Sequence, residues 1–263
     1  MKRILLYILS LIMFVALIGC DKKDENTLVV GVVAPPMSTI IEINKENFEA
    51  LGYKLEIRTF IDYDIVNRAL NDGEIDLNFS QHELFMEEFN KNFDGSLVKI
   101  KGIYTTPIFL YSRTIEKLED INANTIIGVP REPINLNRAL RFLKQLELID
   151  FDKTDEETVG LGDITKLKEF KIETFELTAL PLAYPDIDMA VMYPAFGARA
   201  NLTVEEDTIA EEENVLPVFD ISIVGRVDNK DSKIVEDFVN VVAGKKTEEF
   251  LAENYGSTYR IVY

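Results

Sequence analysis

The run Leu28–Gln81, LVVGVVAPPMSTIIEINKENFEALGYKLEIRTFIDYDIVNRALNDGEIDLNFSQ, decides the fold class. It opens on LVVGVV, a continuous apolar run of the kind that forms a strand covered on both faces. Ser38 can then cap a helix that carries Ile40, Ile41, Ile43 and Phe48 toward Gly52. Leu55 to Phe60 alternates as a strand, Tyr63 to Leu70 returns to helical spacing, and Asn71-Asp72-Gly73 ends that helix. Ile75, Leu77 and Phe79 fall on one face of a third strand. Strands alternating with helices in this order imply a parallel sheet with crossover helices, an α/β fold.

The same alternation continues outward. His82 to Phe93 reads as a helix with Leu84, Phe85 and Phe89 inward, and Leu97 to Tyr104 and Ile108 to Tyr111 as extended runs, the second leaving the first lobe. A second series starts at TIIGV, Thr125 to Val129, with a helix from Pro133 to Leu148 and strands at Lys171 to Leu177 and Ile187 to Met192. Val218 to Val227 returns as a long strand, and Ser232 to Tyr255 is helical. These elements predict two βα-layered lobes joined by two crossings: residues 28–112 plus 214–263, and residues 113–213. In open α/β sheets ligands sit at the carboxyl ends of strands, so the cleft between the lobes is the expected site. No internal repeat or low-complexity segment is visible.

Ahead of this region stand Lys2 and Arg3, an apolar run from Ile4 to Ile18, then Gly19 and Cys20. The run is shorter than the ~20 residues a spanning helix needs and follows a basic start, as in an export signal. Leu17-Ile18-Gly19-Cys20 resembles the bacterial lipobox, whose cysteine is lipidated and becomes the mature N-terminus. Residues 1–19 are therefore expected to be a signal peptide, Cys20 the lipidation site, and residues 20–27 a polar tether. That places the globule at the extracytoplasmic face of the cell membrane, held by its lipid anchor. Cys20 is the chain's only cysteine, so no intrachain disulfide is possible.

The formal charge of −18 repels phosphate backbones and anionic head groups, which argues against nucleic acid or peripheral lipid binding. Glu205-Glu206-Asp207 and Glu211-Glu212-Glu213 read as solvated faces. The sequence contains no phosphate loop, G-x-S-x-G elbow or H-E-x-x-H, and Gly160-Leu161-Gly162 reads as a loop. Neither catalysis, a cofactor nor a metal site is expected, and the sole histidine is His82.

The informative residues sit at strand ends. Phe79-Ser80-Gln81-His82 marks a strand giving way to a helix, where side chains project into a cleft. Tyr63, Phe79 and Phe85 could form an aromatic slot for an apolar side chain or thioether, although ordinary core aromatics have the same spacing. Asn135 and Arg138 open a helix at spacing i, i+3 and share a face near its positive end. A guanidinium there can receive a carboxylate through two parallel hydrogen bonds, or form a salt bridge with one of many acids.

Together the lipobox, GVVAPPMSTIIE, FIDYDIVNRALNDGEIDLNFSQH, Pro107 to Ser112 and VPREPINLNRALRFL resemble the NlpA-type, methionine-binding lipoproteins of ABC importers, over essentially the whole mature chain. The resemblance implies a two-lobed, periplasmic-binding-protein-like fold that closes on a small molecule, an amino acid or short peptide, and delivers it to a membrane permease driven by a separate ATPase. It implies aromatic and histidine contacts at Tyr63, Phe79, His82 and Phe85, and a carboxylate-binding pair at Asn135 and Arg138. Two turns depart from the family, of which the opening P-G-P-H-like turn is here Ala34-Pro35-Pro36-Met37. An N-G-N-Y-A-like turn, whose asparagine helps bind the ligand head group, is here Met192-Tyr193-Pro194-Ala195-Phe196, which puts Tyr193 at the ligand-contacting position. An amide that paired the head group cannot become alanine without losing that bond, and an unpaired buried group costs ~1–3 kcal/mol. The departure weakens the case for methionine itself and motivates an alternative, an anchored adhesin or interaction protein that keeps the fold.

Overall fold

The computed structural model describes residues 24, 26–154, 157–256 and 258–263; the leader, Cys20 and most of the tether lie outside the described residues. In chain order the first half supplies β1 (Thr27–Val32), α1 (Met37–Glu49), β2 (Lys54–Thr59), α2 (Tyr63–Asn71), β3 (Leu77–Gln81), α3 (Glu83–Phe93) and β4 (Leu97–Thr105). The middle supplies β5 (Phe109–Ser112), β6 (Ile126–Pro130), α4 (Pro133–Gln145), the short pair β7 (Ile149–Asp150) and β8 (Thr165–Lys166), β9 (Lys171–Phe175), α5 (Leu180–Ala183), β10 (Met189–Met192), α6 (Pro194–Arg199), α7 (Val204–Asp207) and β11 (Thr208–Glu211). The chain closes with β12 (Ile221–Arg226), α8 (Lys233–Val242), α9 (Lys245–Tyr255) and β13 (Arg260–Ile261).

Two sheets organise these elements, a six-stranded one in the order β13-β4-β12-β3-β1-β2 and a five-stranded one in the order β11-β5-β10-β6-β9. In the first, β1 runs parallel to β2 and β3, while β12 lies antiparallel between β3 and β4. The uninterrupted apolar run of β1 reflects burial on both sides. Leu28, Val30 and Val32 pack with Ile40, Phe48 and Phe238 of α1 and α8, whereas Val29 and Val33 meet Val66, Leu70 and Phe89 of α2 and α3. Fully burying such a side chain contributes ~1.5–3 kcal/mol. In the second sheet Ile127 and Val129 likewise face Leu140 and Leu143 of α4, while Leu180 and Phe196 cover the opposite side.

The two sheets repeat one unit that the side-chain pattern hides. Val29 N donates to Asp76 Oδ2 at 2.7 Å and Ile126 N donates to Asp188 Oδ2 at 2.8 Å, so an aspartate at the head of a neighbouring strand seals the entry of each central strand. A Cβ on Gly31 would lie 2.5 Å from Ile75 and 2.6 Å from Val66; one on Gly128 would lie 2.4 Å from Ile187 and 3.0 Å from Leu180. Each glycine lets the helix that follows the neighbouring strand, α2 after β2 and α5 after β9, settle directly on the sheet.

Several expectations shift. Phe109–Ser112 belongs to the second sheet, paired with β10 and β11, so the first crossing falls at Thr106–Ile108 instead of after Ser112. Leu110 is drawn there by the second lobe's core, and Phe109 and Tyr111 by the cluster on its other face. The first helix begins at Met37 with no side-chain cap, leaving Ser38 inside its first turn. The returning strand is shorter than Val218–Val227 because Pro217, which lacks an N–H for a ladder, opens a 3-10 turn over Pro217–Phe219. The last helical stretch divides at Gly244.

Replacing Gly31 by Ala should destabilise the protein by about 1–3 kcal/mol in equilibrium urea unfolding, the usual cost of forcing atoms into a packed core. Gly162→Ala, whose Cβ would meet nothing within 4 Å, should leave the midpoint unchanged.

Candidate functional site

The carboxyl ends of strands of the two sheets face each other across a cavity whose walls come from both lobes. On the first lobe Tyr63 is set by Asp62, whose carboxylate accepts from the amides of Asp64 at 2.8 Å and Ile65 at 3.0 Å and caps α2. His82 occupies the corresponding position before α3, where its Nδ1 accepts from Phe85 N at 3.3 Å. An accepting Nδ1 places the proton on Nε2, which points across the cleft to Asn135 Oδ1 at 3.4 Å. Tyr63 and Phe85 meet edge to face at 5.9 Å.

Beneath this wall lies a network of amides. Asn67 and Gln81 exchange hydrogen bonds at 2.8 and 2.5 Å, Asn78 donates to Asn67 at 2.9 Å, and Ser80 donates to Asn78 at 2.7 Å. The alternating polar residues of LNFSQ are therefore satisfied internally, and they fix α2 against β3 with Ser80 and Gln81 at the cavity.

On the second lobe Tyr193 donates to Asn135 Oδ1 at 3.2 Å and accepts from Arg138 Nη1 at 3.2 Å. Burial, and then the charge of Arg138, push the His82 pKa down from 6.5 to about 3, so the imidazole is neutral. Burial likewise raises the phenols of Tyr63 and Tyr193 above their ordinary range.

Tyr63, His82, Phe85, Asn135 and Tyr193 thus converge on one cavity. Two other expected residues do not reach it. Phe79 is fully buried in the first-lobe core and packs edge to face against Tyr104 at 6.4 Å; it is Tyr104 that lines the cavity. Arg138 lies behind Asn135 and Tyr193, and the forked face predicted to take a ligand carboxylate is already filled. Its Nε donates to Glu212 Oε1 at 2.9 Å and its Nη2 to Glu212 Oε2 at 2.5 Å. Nη2 also donates to the Thr106 carbonyl at 3.0 Å, and the guanidinium stacks 4.2 Å above the Phe219 ring. Burial works against this charge, but Tyr193 and Glu212 outweigh it and raise the pKa.

Glu212 was expected on a solvated face. It is instead nearly buried, and it also accepts from Ile108 N at 3.1 Å. Pro35, Pro36, Ala195 and Phe196 also line the cavity, as do Leu177, Ile221 and Tyr259, which were not anticipated there. Among the described residues no group of three or more His, Cys, Asp or Glu is placed to hold a metal ion, and no helix is long and apolar enough to cross a membrane.

Residues 28–261 match the model of a family described as NlpA lipoprotein. The chain is 32% identical over 246 residues to the D-methionine-binding lipoprotein MetQ of Escherichia coli, covering 91% of this chain and 90% of that one. It is 27% identical over 242 residues to membrane lipoprotein TpN32 of Treponema pallidum, covering 92% and 90%. Among solved structures, a nutrient binding protein from Burkholderia cenocepacia bound to methionine superposes with a TM-score of 0.85 at 27% identity, covering 90% of this chain and all of that one.

Two outcomes follow from this geometry. Arg138→Ala, which strands the nearly buried Glu212 carboxylate, should cost about 3–5 kcal/mol in urea unfolding, while Arg138→Met combined with Glu212→Leu should recover most of that loss. Because His82 titrates near 3 when folded and near 6.5 when unfolded, the unfolded chain binds the extra proton between those values. Wild-type stability should therefore fall, relative to His82→Asn, as pH drops from 6.5 toward 3, and the difference between the two should become independent of pH above 6.5. Denaturation curves recorded in parallel across that range measure it.

Proposed function

Because this chain belongs to the NlpA lipoprotein family, a family of substrate-binding proteins and not of enzymes, we propose that it captures a small amino-acid-like solute outside the cell for an ABC importer. The observation that carries this reading is the cavity itself, which takes its walls from both lobes and is spanned by the His82–Asn135 contact. A solute resting on Tyr63 and Phe85 on one side and on Asn135 and Tyr193 on the other favours the closed arrangement through its contacts with both lobes. A ligand shifts such an equilibrium only by its differential affinity for the two forms.

The apolar faces of Tyr63, Phe85 and Phe196 suit an aliphatic or thioether side chain, in keeping with relatives named for methionine. Methionine, a related amino acid or a short peptide is the proposed ligand class. Lipidation at Cys20 anchors the protein at the extracytoplasmic face, and the closed complex docks on a membrane permease powered by a separate ATPase.

Protein unfolded, dialysed and refolded to strip carried-over solute should be stabilised by about 2.7 kcal/mol when its ligand is supplied at 100-fold above the dissociation constant. Thermal denaturation against amino acids, their derivatives and short methionine-containing peptides is the measurement. Absence of any shift across that panel would sink the proposal, and Phe85→Ala should weaken the binding found by about tenfold, as expected for loss of a buried aromatic contact.

A further inference from the structure

After α9 the chain turns at Gly256, where φ is 55°, and comes back as β13 against β4, with Arg260 opposite Thr105 and Ile261 opposite Tyr104. Rings fasten this tail to the first lobe. Tyr259 lies 4.4 Å from the Tyr255 ring and 5.2 Å from the Tyr104 ring, and the Tyr263 hydroxyl donates to the Gly244 carbonyl at 3.2 Å. Tyr259 belongs to the first-lobe core and also lines the cavity. Opposite it, α6 of the second lobe begins with Pro194, which has no N–H, and the amides of Phe196 and Gly197 both donate to the Tyr193 carbonyl, at 3.0 and 3.1 Å. Ala195 is therefore the first-turn amide left over, as helix starts leave several N–H groups without a carbonyl, and among the described residues no backbone oxygen takes it. What it meets instead is the phenol oxygen of Tyr259, on the other side of the cavity.

Resting on the solute-binding reading above, we infer that Tyr259 is a positioning residue for cleft closure: its hydroxyl, carried by the tail of the first lobe, accepts the Ala195 N–H of the second lobe and latches the two lobes around a captured solute. The partners stand on different lobes, so they part when the cleft opens, and the free energy of their contact counts toward the closed form alone. Such a contact slows release. It leaves capture unchanged, because a solute enters the open cleft before the latch forms. A tyrosine suits the task, since its stacked ring fixes the direction of the hydroxyl, and burial raises its pKa so that the group stays uncharged.

The test is stopped-flow kinetics of the full chain with L-methionine as the probe. Tyr259→Phe keeps the ring and its stacking and deletes only the hydroxyl. It should raise the dissociation rate constant about fivefold, the effect of one net hydrogen bond, and change the association rate constant less than about twofold. Dissociation within about twofold of wild type would overturn the inference, and so would a fall in association matching the rise in dissociation, the mark of a merely distorted site. Either result leaves the solute-binding reading intact. Should L-methionine fail to bind, a measurement without solute decides: spin labels at Ile61→Cys and Leu182→Cys, positions 83% and 80% exposed on the two lobes, in a chain carrying Cys20→Ser, read the distance between lobes by double electron–electron resonance. Tyr259→Phe should then shift the distribution toward longer separations, and distributions identical to those of the tyrosine form would overturn the latch.

Discussion

One buried ion pair, Arg138 with Glu212, is the constraint around which the cleft is arranged. The guanidinium issues from α4 in the second lobe, yet its partners lie on both crossings: Thr106 on the outward one, Glu212 and Phe219 on the return. Glu212 ties the crossings together as well, through Ile108 N and a backbone bond from its own N to Ile108 O at 2.9 Å. A buried charge that loses its partner is costly, whereas exchanging the whole pair for apolar groups is often neutral. The pair therefore contributes little net stability but fixes where the crossings must run. Asn135, Tyr193 and, through Asn135, His82 take their positions from it.

The same pair separates the protein's two electrostatic worlds. Outside, the chain carries a formal charge of −18, and ion pairs such as Lys54–Glu56 sit in water, where they contribute at most ~1 kcal/mol. Inside, the cavity lining carries no Asp, Glu, Lys or Arg, the Arg138 guanidinium behind it is matched by Glu212, and the His82 imidazole is held unprotonated. An acidic exterior says nothing about the sign of the solute. The interior does.

The layered lobes were legible because their signals are periodic: LVVGVV for a strand covered twice, Asn71-Asp72-Gly73 for a helix stop with Gly73 at φ 77°. The second sheet's repetition of the first was not. It resides in a glycine, an isoleucine and an aspartate per lobe, too sparse to register as a repeat while the surrounding side chains differ. Period two placed Phe79 on a strand face but could not say which layer would lie between that face and the cavity, and Tyr104 does. Glu212 was hidden by its neighbours, since Glu211 and Glu213 in the same run are exposed and nothing local distinguishes the acid that turns inward. Arg138 was found by its helix position, but its partner is fixed by tertiary structure alone.

The seating of β12 carries a consequence for how the chain must assemble. The second sheet draws all its strands from one continuous stretch, Phe109 to Glu211, and can form as soon as that stretch is available. The first sheet cannot: β3 and β4 are joined only through β12, which arrives more than a hundred residues later, and α8 and α9, which cover one face, follow it. Contacts of such long sequence separation close late. A chain emerging from its N-terminus thus keeps its leading half open until its tail is free, so the half made first is the half finished last.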